Sequence, residues 1–140
     1  ERAIASAPGI LFVAGAGNED NDASFVEYVP AGLSLPNLLT AGAVDSAGEE
    51  TSFSSFGKTV VVHANGKEVT SFVPGGERLK LSGTSMAAPQ VTNLAAKLIA
   101  LDPSLTPVQL KAMITGNADK RGRVMLINPK ATLAKAGFGG

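Results

Sequence analysis

The stretch Gly83-Thr84-Ser85-Met86-Ala87-Ala88-Pro89 decides the reading of this chain. It sets a serine where a strand ends and a helix begins. Glu77 to Gly83 reads as a short strand closing on glycine, and Ala87 to Leu101 as an apolar helix. The glycine permits a sharp turn that residues with a Cβ resist. A helix start presents free N–H groups and the positive end of the helix dipole, and both favour negative charge. The serine side chain stands clear of the sheet, within reach of a substrate. Those are the requirements of a nucleophile in acyl transfer. Taken alone, the same residues also describe an ordinary helix cap.

Working outward, Val91, Leu94, Ala95, Leu98 and Ile99 recur at helical spacing, with Pro89 near the first turn where its missing N–H costs least. Thr106-Pro107 is a cap followed by proline at the first helical position, and it opens a helix that stops near Gly116-Asn117. Asn128-Pro129 repeats that signal before a last helix, Lys130 to Ala136, and Val124 to Ile127 between them reads as a strand. Upstream, Ile10 to Ala14 is a continuous apolar run, as expected of a strand buried on both faces, and Leu38 to Val44 reads as a second buried strand. Thr59 to Val62 is a third strand. Val69 to Val73 and Leu79 to Leu81 pair as a hairpin across Pro74-Gly75-Gly76. Residues 1–6 read as the last turns of a helix, 19–36 as loop, and Gly137 to Gly140 as a flexible end. Buried strands alternating with helices imply an α/β fold with a parallel sheet.

The chain has 140 residues, enough for one modest domain with a core. Apolar residues make up 44% and charged residues 17%, which excludes an intrinsically disordered chain. Twelve basic residues balance twelve acidic ones, so nothing in the charge argues for nucleic acid. No apolar stretch is long enough to cross a bilayer, and no signal-peptide pattern opens the chain. Cysteine is absent, which excludes disulfides, zinc-thiolate sites and thiol catalysis and leaves the compartment open.

Five segments, in order, resemble the C-terminal half of a subtilisin-like serine peptidase catalytic domain, the subtilase family. Ala16-Gly17-Asn18-Glu19 resembles the family's oxyanion-hole segment, and residues 37–45 the strand that follows it. Thr51 to Gly57 resembles its serine-rich turn, Ser82 to Pro89 its nucleophile motif, and Leu105 to Lys111 the next helix start. The resemblance implies an incomplete subtilisin-like fold with a parallel sheet in three layers, helix/sheet/helix. Residues 1–140 would then be the C-terminal part of the domain. Ser85 is implied as the nucleophile and Asn18 as the side-chain donor to the oxyanion, with the Ser85 N–H as second donor. Gly15, Ala16 and Gly17 are implied as one wall of the substrate pocket, and the loop from Tyr28 to Leu33 as its closure. No metal or other cofactor is implied for the chemistry, although family members often bind structural calcium. The acidic run Glu19-Asp20-Asn21-Asp22 offers oxygen ligands, but a solvated loop is the plainer reading. Secretion or a periplasmic location is an expectation from the resemblance alone.

In this family the base is a histidine oriented by an aspartate, and both precede the oxyanion asparagine. The single histidine here, His63, falls outside any such motif and reads as a loop or surface residue. Asp45 aligns with a structural turn and is not the missing acid. Gln90 stands where the family often has histidine. Asn93 stands where it often has glycine, which asks the helix to pack farther out or to bond its amide to the sheet. The chain is therefore expected to be a serine endopeptidase fragment that is inactive alone. The alternative is a non-catalytic peptide-binding relative. A purely structural α/β module with a coincidental motif is the third reading. A three-stranded piece of sheet exposes an edge and apolar faces. The expected partners are a peptide or protein substrate, and the missing N-terminal half, a second copy or a swapped helix as cover. Nucleic acid and membrane are not among them.

Overall fold

A computed structural model describes residues 1–25 and 28–137. In chain order they form α1 (Arg2–Ala5), β1 (Phe12–Gly15), β2 (Leu38–Val44), β3 (Val60–Asn65), β4 (Val69–Phe72), β5 (Arg78–Leu81), α2 (Thr84–Leu101), α3 (Pro107–Gly116), β6 (Asp119–Arg121), β7 (Val124–Leu126) and α4 (Pro129–Lys135). The expected flexible end falls largely on residues 138–140, and part of the expected 19–36 loop on 26–27. Both lie outside the described residues.

The main sheet has five strands in the order β1-β2-β3-β7-β6. Pairings from β1 to β7 are parallel, and β6 runs antiparallel to β7. The fold class is therefore α/β with a mostly parallel sheet, as expected, but with five strands instead of three. Strand β6 escapes a sequence reading because Asp119-Lys120-Arg121 is wholly exposed and carries no apolar pattern.

Strand β2 anchors the layers, since all seven of its residues are buried. Leu39, Ala41 and Ala43, with Val62 and Ala64 of β3, face a core completed by Val91, Leu94, Ala95 and Leu98 of α2 and by Leu110 and Ile114 of α3. Small residues on the strands let α2 lie close, and its leucines fill the gap. Each fully buried leucine contributes about 1.5–3 kcal/mol. Helix α3 begins with a full capping box: the Gln109 N–H donates to Thr106 Oγ1 while the Thr106 N–H donates to Gln109 Oε1. At α4, Asn128 Oδ1 accepts the Ala131 N–H.

Three expectations change, and one forms as expected. Strand β1 is half exposed, not buried on both faces, because it pairs only with β2 among the described residues. As expected, the stretch before Ser85 contributes β5, which pairs with β4 in an antiparallel hairpin, separate from the main sheet. Helix α2 opens at Thr84, so Ser85 sits inside its first turn and Pro89 just past it. Pro89 therefore has no N–H to give to the Ser85 carbonyl four residues back.

The third change concerns His63. It is no surface residue: it lies inside β3 and is only 2% exposed. Its strand partner is Gly42, and a Cβ there would stand 2.6 Å from imidazole Cδ2 and 2.8 Å from Nε2. The missing side chain of Gly42 is what lets the ring lie over Gly42 on the face of the sheet. Replacing it by alanine should overpack this site and cost about 1–3 kcal/mol. Urea denaturation of Gly42→Ala checks this, and an unchanged midpoint would contradict the packing described.

Candidate active site

The C-terminal ends of β1, β2 and β3 converge on the start of α2, the usual location of sites in parallel sheets. Three glycines allow the approach. At the end of β1, a Cβ on Gly15 would lie 2.9 Å from Thr84 Oγ1. Beyond β3, a Cβ on Gly66 would lie 2.6 Å from the Gly83 carbonyl oxygen. The Gly66 N–H donates to the Val44 carbonyl, and the Gly83 N–H to the Gly66 carbonyl, so the turn before α2 is stitched to the end of β2. Gly83 itself has φ 153°, a backbone state that favours glycine.

Thr84 holds the site together. Its hydroxyl accepts the Gly17 N–H at 3.1 Å and donates to Asn18 Oδ1 at 3.1 Å. Its own N–H donates to the same Asn18 oxygen at 2.8 Å. A backbone N–H can only donate, so the Asn18 atom facing it is the oxygen, and Nδ2 is the atom left free. A Cβ on Gly83 would lie 3.1 Å from Ser85 Oγ and 3.5 Å from Asn18 Nδ2. The serine hydroxyl and the asparagine amide thus flank one small space, and both residues are exposed. The Ser85 N–H lies in the first turn of α2, where backbone donors have no intrahelical acceptor. No acidic residue in that turn offsets the helix dipole.

The serine-rich turn has a role that a reading of residue types misses. The Ser55 N–H donates to the Gly17 carbonyl, the Asp20 N–H to the Phe53 carbonyl, and Ser54 Oγ accepts the Ala43 N–H. This segment fastens the Asn18 loop to β2. Thr84 likewise escapes notice as a positioning residue. Its adjacency to Ser85 is the one signal in the sequence, and its reach to residue 18 is a tertiary fact.

The other singled-out residues lie elsewhere. Gly15 backs onto Thr84, and Ala16 is fully buried. Tyr28, Val29, Gly32 and Leu33 border a separate cavity of about 220 Å³ with Glu1. Asp45 Oδ1 accepts the Ala47 and Glu49 N–H groups in a turn after β2. In the acidic run, Glu19 accepts the Asn18 N–H and Asp22 the Ser24 N–H. Among the described residues no three His, Asp or Glu side chains converge as a metal site. Gln90 Nε2 donates to the Asn65 and Met86 carbonyls, tying α2 to the end of β3. Asn93 is exposed, so it neither pushes α2 outward nor bonds to the sheet. Side chains alternate along β3, and Val62 and Ala64 face α2. His63 between them therefore points to the opposite face, and the sheet separates it from Ser85.

Residues 2–139 match the model of the peptidase S8 family, described as the subtilase family. The subtilisin-like serine protease Pen ch 13 of Penicillium rubens is 45% identical over 94 residues, covering 67% of this chain and 23% of that protein. Subtilisin of Bacillus pumilus is 35% identical over 122 residues, covering 87% of this chain and 43% of its own length. A solved cold adapted subtilisin-like serine proteinase superposes with a TM-score of 0.77 at 34% identity, over 88% of this chain and 42% of its own. The chain thus spans less than half the length of each of these relatives.

The clamp makes a specific demand on Thr84. Thr84→Val keeps the shape but leaves the buried-side Gly17 N–H without an acceptor, and should cost about 1–3 kcal/mol. Thr84→Ser should restore most of it. Chemical denaturation of both variants checks the claim, and equal stability of the two would contradict it.

Proposed function

The chain belongs to the subtilase family, and from that premise we propose that it supplies the nucleophile and the oxyanion hole of a serine endopeptidase. Substrates are peptides or proteins. Ser85 Oγ attacks the scissile carbonyl carbon, and the negative charge that develops on the carbonyl oxygen falls between Asn18 Nδ2 and the Ser85 N–H. The observation that carries this reading is the clamp on Asn18. Its oxygen is occupied by two donors from Thr84, so its amide is aimed and needs no reorganisation when charge develops. The dipole of α2 adds to the same stabilisation.

Proton transfer is the step these residues do not complete. Ser85 needs a base, and the single histidine lies behind the sheet. In this reading the family's aspartate and histidine belong to the N-terminal part of the catalytic domain, and residues 1–140 are its C-terminal part. Two surfaces suit that part: the edge of β1, unpaired among the described residues, and the outer face of α2, where Ile99 and Leu101 are exposed. No metal or other cofactor enters the chemistry, and a longer parent has room for the structural calcium of its family. Among the described residues no helix is long and apolar enough to cross a membrane. Secretion or a periplasmic location follows from family resemblance.

A second reading, a non-catalytic peptide-binding relative, draws on the same histidine: a groove persists without a base. Intact Ser85 and Asn18 favour the catalytic reading, because peptide binding needs neither.

The purified chain should not turn over peptide substrates. Joined to a polypeptide carrying the family's aspartate and histidine segments, it should. Ser85→Ala should then abolish turnover. Asn18→Ala should lower kcat by about 100- to 1,000-fold, the loss measured on removing the oxyanion-hole asparagine of a subtilisin. Turnover by the chain alone that disappears in Ser85→Ala would contradict this. The uncovered edge and helix face should also make the isolated chain self-associate. Sedimentation at micromolar concentration checks it, and a monodisperse monomer is the contrary result.

A further inference from the structure

His63 takes no part in the chemistry above, yet it ties two strands together. Its carbonyl accepts the Ile127 N–H at 2.9 Å, and its Nδ1 accepts the Met125 N–H at 3.1 Å. The register between β3 and β7 is also set at His63 and Leu126. The contacts that hold β7 to β3 therefore converge on one buried residue, with the β6–β7 hairpin on one side and α4 following on the other.

The tautomer follows from the geometry. Met125 N–H can only donate, so Nδ1 is bare and Nε2 carries the hydrogen. That argues against a metal at Nε2, which would put the hydrogen on Nδ1, facing another donor. The Nε2–H faces Glu50 Oε2 at 3.3 Å, off the line of a well-directed hydrogen bond, so neither atom is satisfied. The other Glu50 oxygen pairs with Arg123 Nη2, and Arg123 lies 4.2 Å from the Phe56 ring centre. Asp22 and Lys58 border the same cavity of about 300 Å³. The charged groups around the imidazole are thus Glu50, Arg123, Asp22 and Lys58, two of each sign.

A second proton has only Nδ1 to occupy. There it would turn the hydrogen bond from Met125 into a clash of two donors. We propose that His63 is a proton-operated latch, whose protonation frees the β6–β7 hairpin from β3 and loosens the wall that Ile127 and Pro129 form in the groove beside Met86. This goes beyond the peptidase reading and does not depend on it. Burial holds the imidazole below its ordinary pKa of 6.5, Glu50 opposes that shift, and Arg123 adds to it. A folded-state pKa below the unfolded one gives stability that is complete above 6.5 and is lost as pH falls through the folded value. The latch therefore opens on acidification.

Amide hydrogen exchange read by NMR on the whole chain, from about pH 7.5 to about pH 5 and corrected for intrinsic rates, tests this. Protection at Met125 and Ile127 should fall by up to about tenfold per pH unit below the ordinary imidazole pKa. Protection at Phe12 and Ala16, whose amides bond to the Asn37 and Ala41 carbonyls, should hold. In His63→Asn, whose side-chain oxygen can accept from Met125 without titrating, the dependence should vanish. A flat profile at Met125 and Ile127 overturns the proposal, and so does equal loss at all four amides. If His63→Asn does not fold, the native profile decides alone.

Discussion

The hydroxyl and N–H of Thr84 are the contacts on which the candidate site depends. They join two parts of the chain that are 66 and 67 residues apart, the Asn18 loop and the start of α2. Each atom has a single feasible role. The hydroxyl takes the Gly17 N–H and gives its own hydrogen to Asn18, and the backbone N–H gives to Asn18 as well. What remains free is the Asn18 amide, and it remains on the side of Ser85. The arrangement requires close backbone approach, which explains glycine at positions 15, 66 and 83. A methyl group at any of them would meet Thr84, the end of β2 and the turn before α2, or the serine hydroxyl.

Much of this was legible in the residues. The paired signals Thr106-Pro107 and Asn128-Pro129 mark real helix starts because a cap and a first-turn proline are local effects that neighbours seldom override. Leu38 to Val44 reads as a buried strand and is one, since an apolar run interrupted only by Thr40 suits burial on both faces. Ser85 and Asn18 come together at one small space because their motifs encode that approach in glycines. What stayed hidden was tertiary. Strand β6 is charged and short, so only its pairing with β7 identifies it. The half-exposure of β1 reflects which neighbour lies beside it, not its own composition. His63 looks like a surface residue until Gly42 is seen opposite, making room for the ring.

The two faces of the sheet divide the labour of the molecule. One face carries α2 and Ser85, and its small strand residues bring the helix close. The other carries His63, Glu50 and the cavity bordered by Arg123, and it governs how the last hairpin is held. Alternation along β3 separates the two, so the histidine that a triad would need is turned away from the serine by strand geometry alone. In the reading proposed above, catalysis at Ser85 rests on a base supplied from outside residues 1–140.

A fluorophosphonate probe tests that claim most directly, because its reaction with a serine requires the hydroxyl, the oxyanion donors and a base at once. The chain would be treated with the probe alone and after assembly with a polypeptide bearing the family's aspartate and histidine segments, and the adduct located by mass spectrometry. An adduct on Ser85 is expected only in the assembled form. An adduct on Ser85 in the chain alone would mean that a base lies within these residues, and no adduct in either form would mean that Ser85 is not the nucleophile.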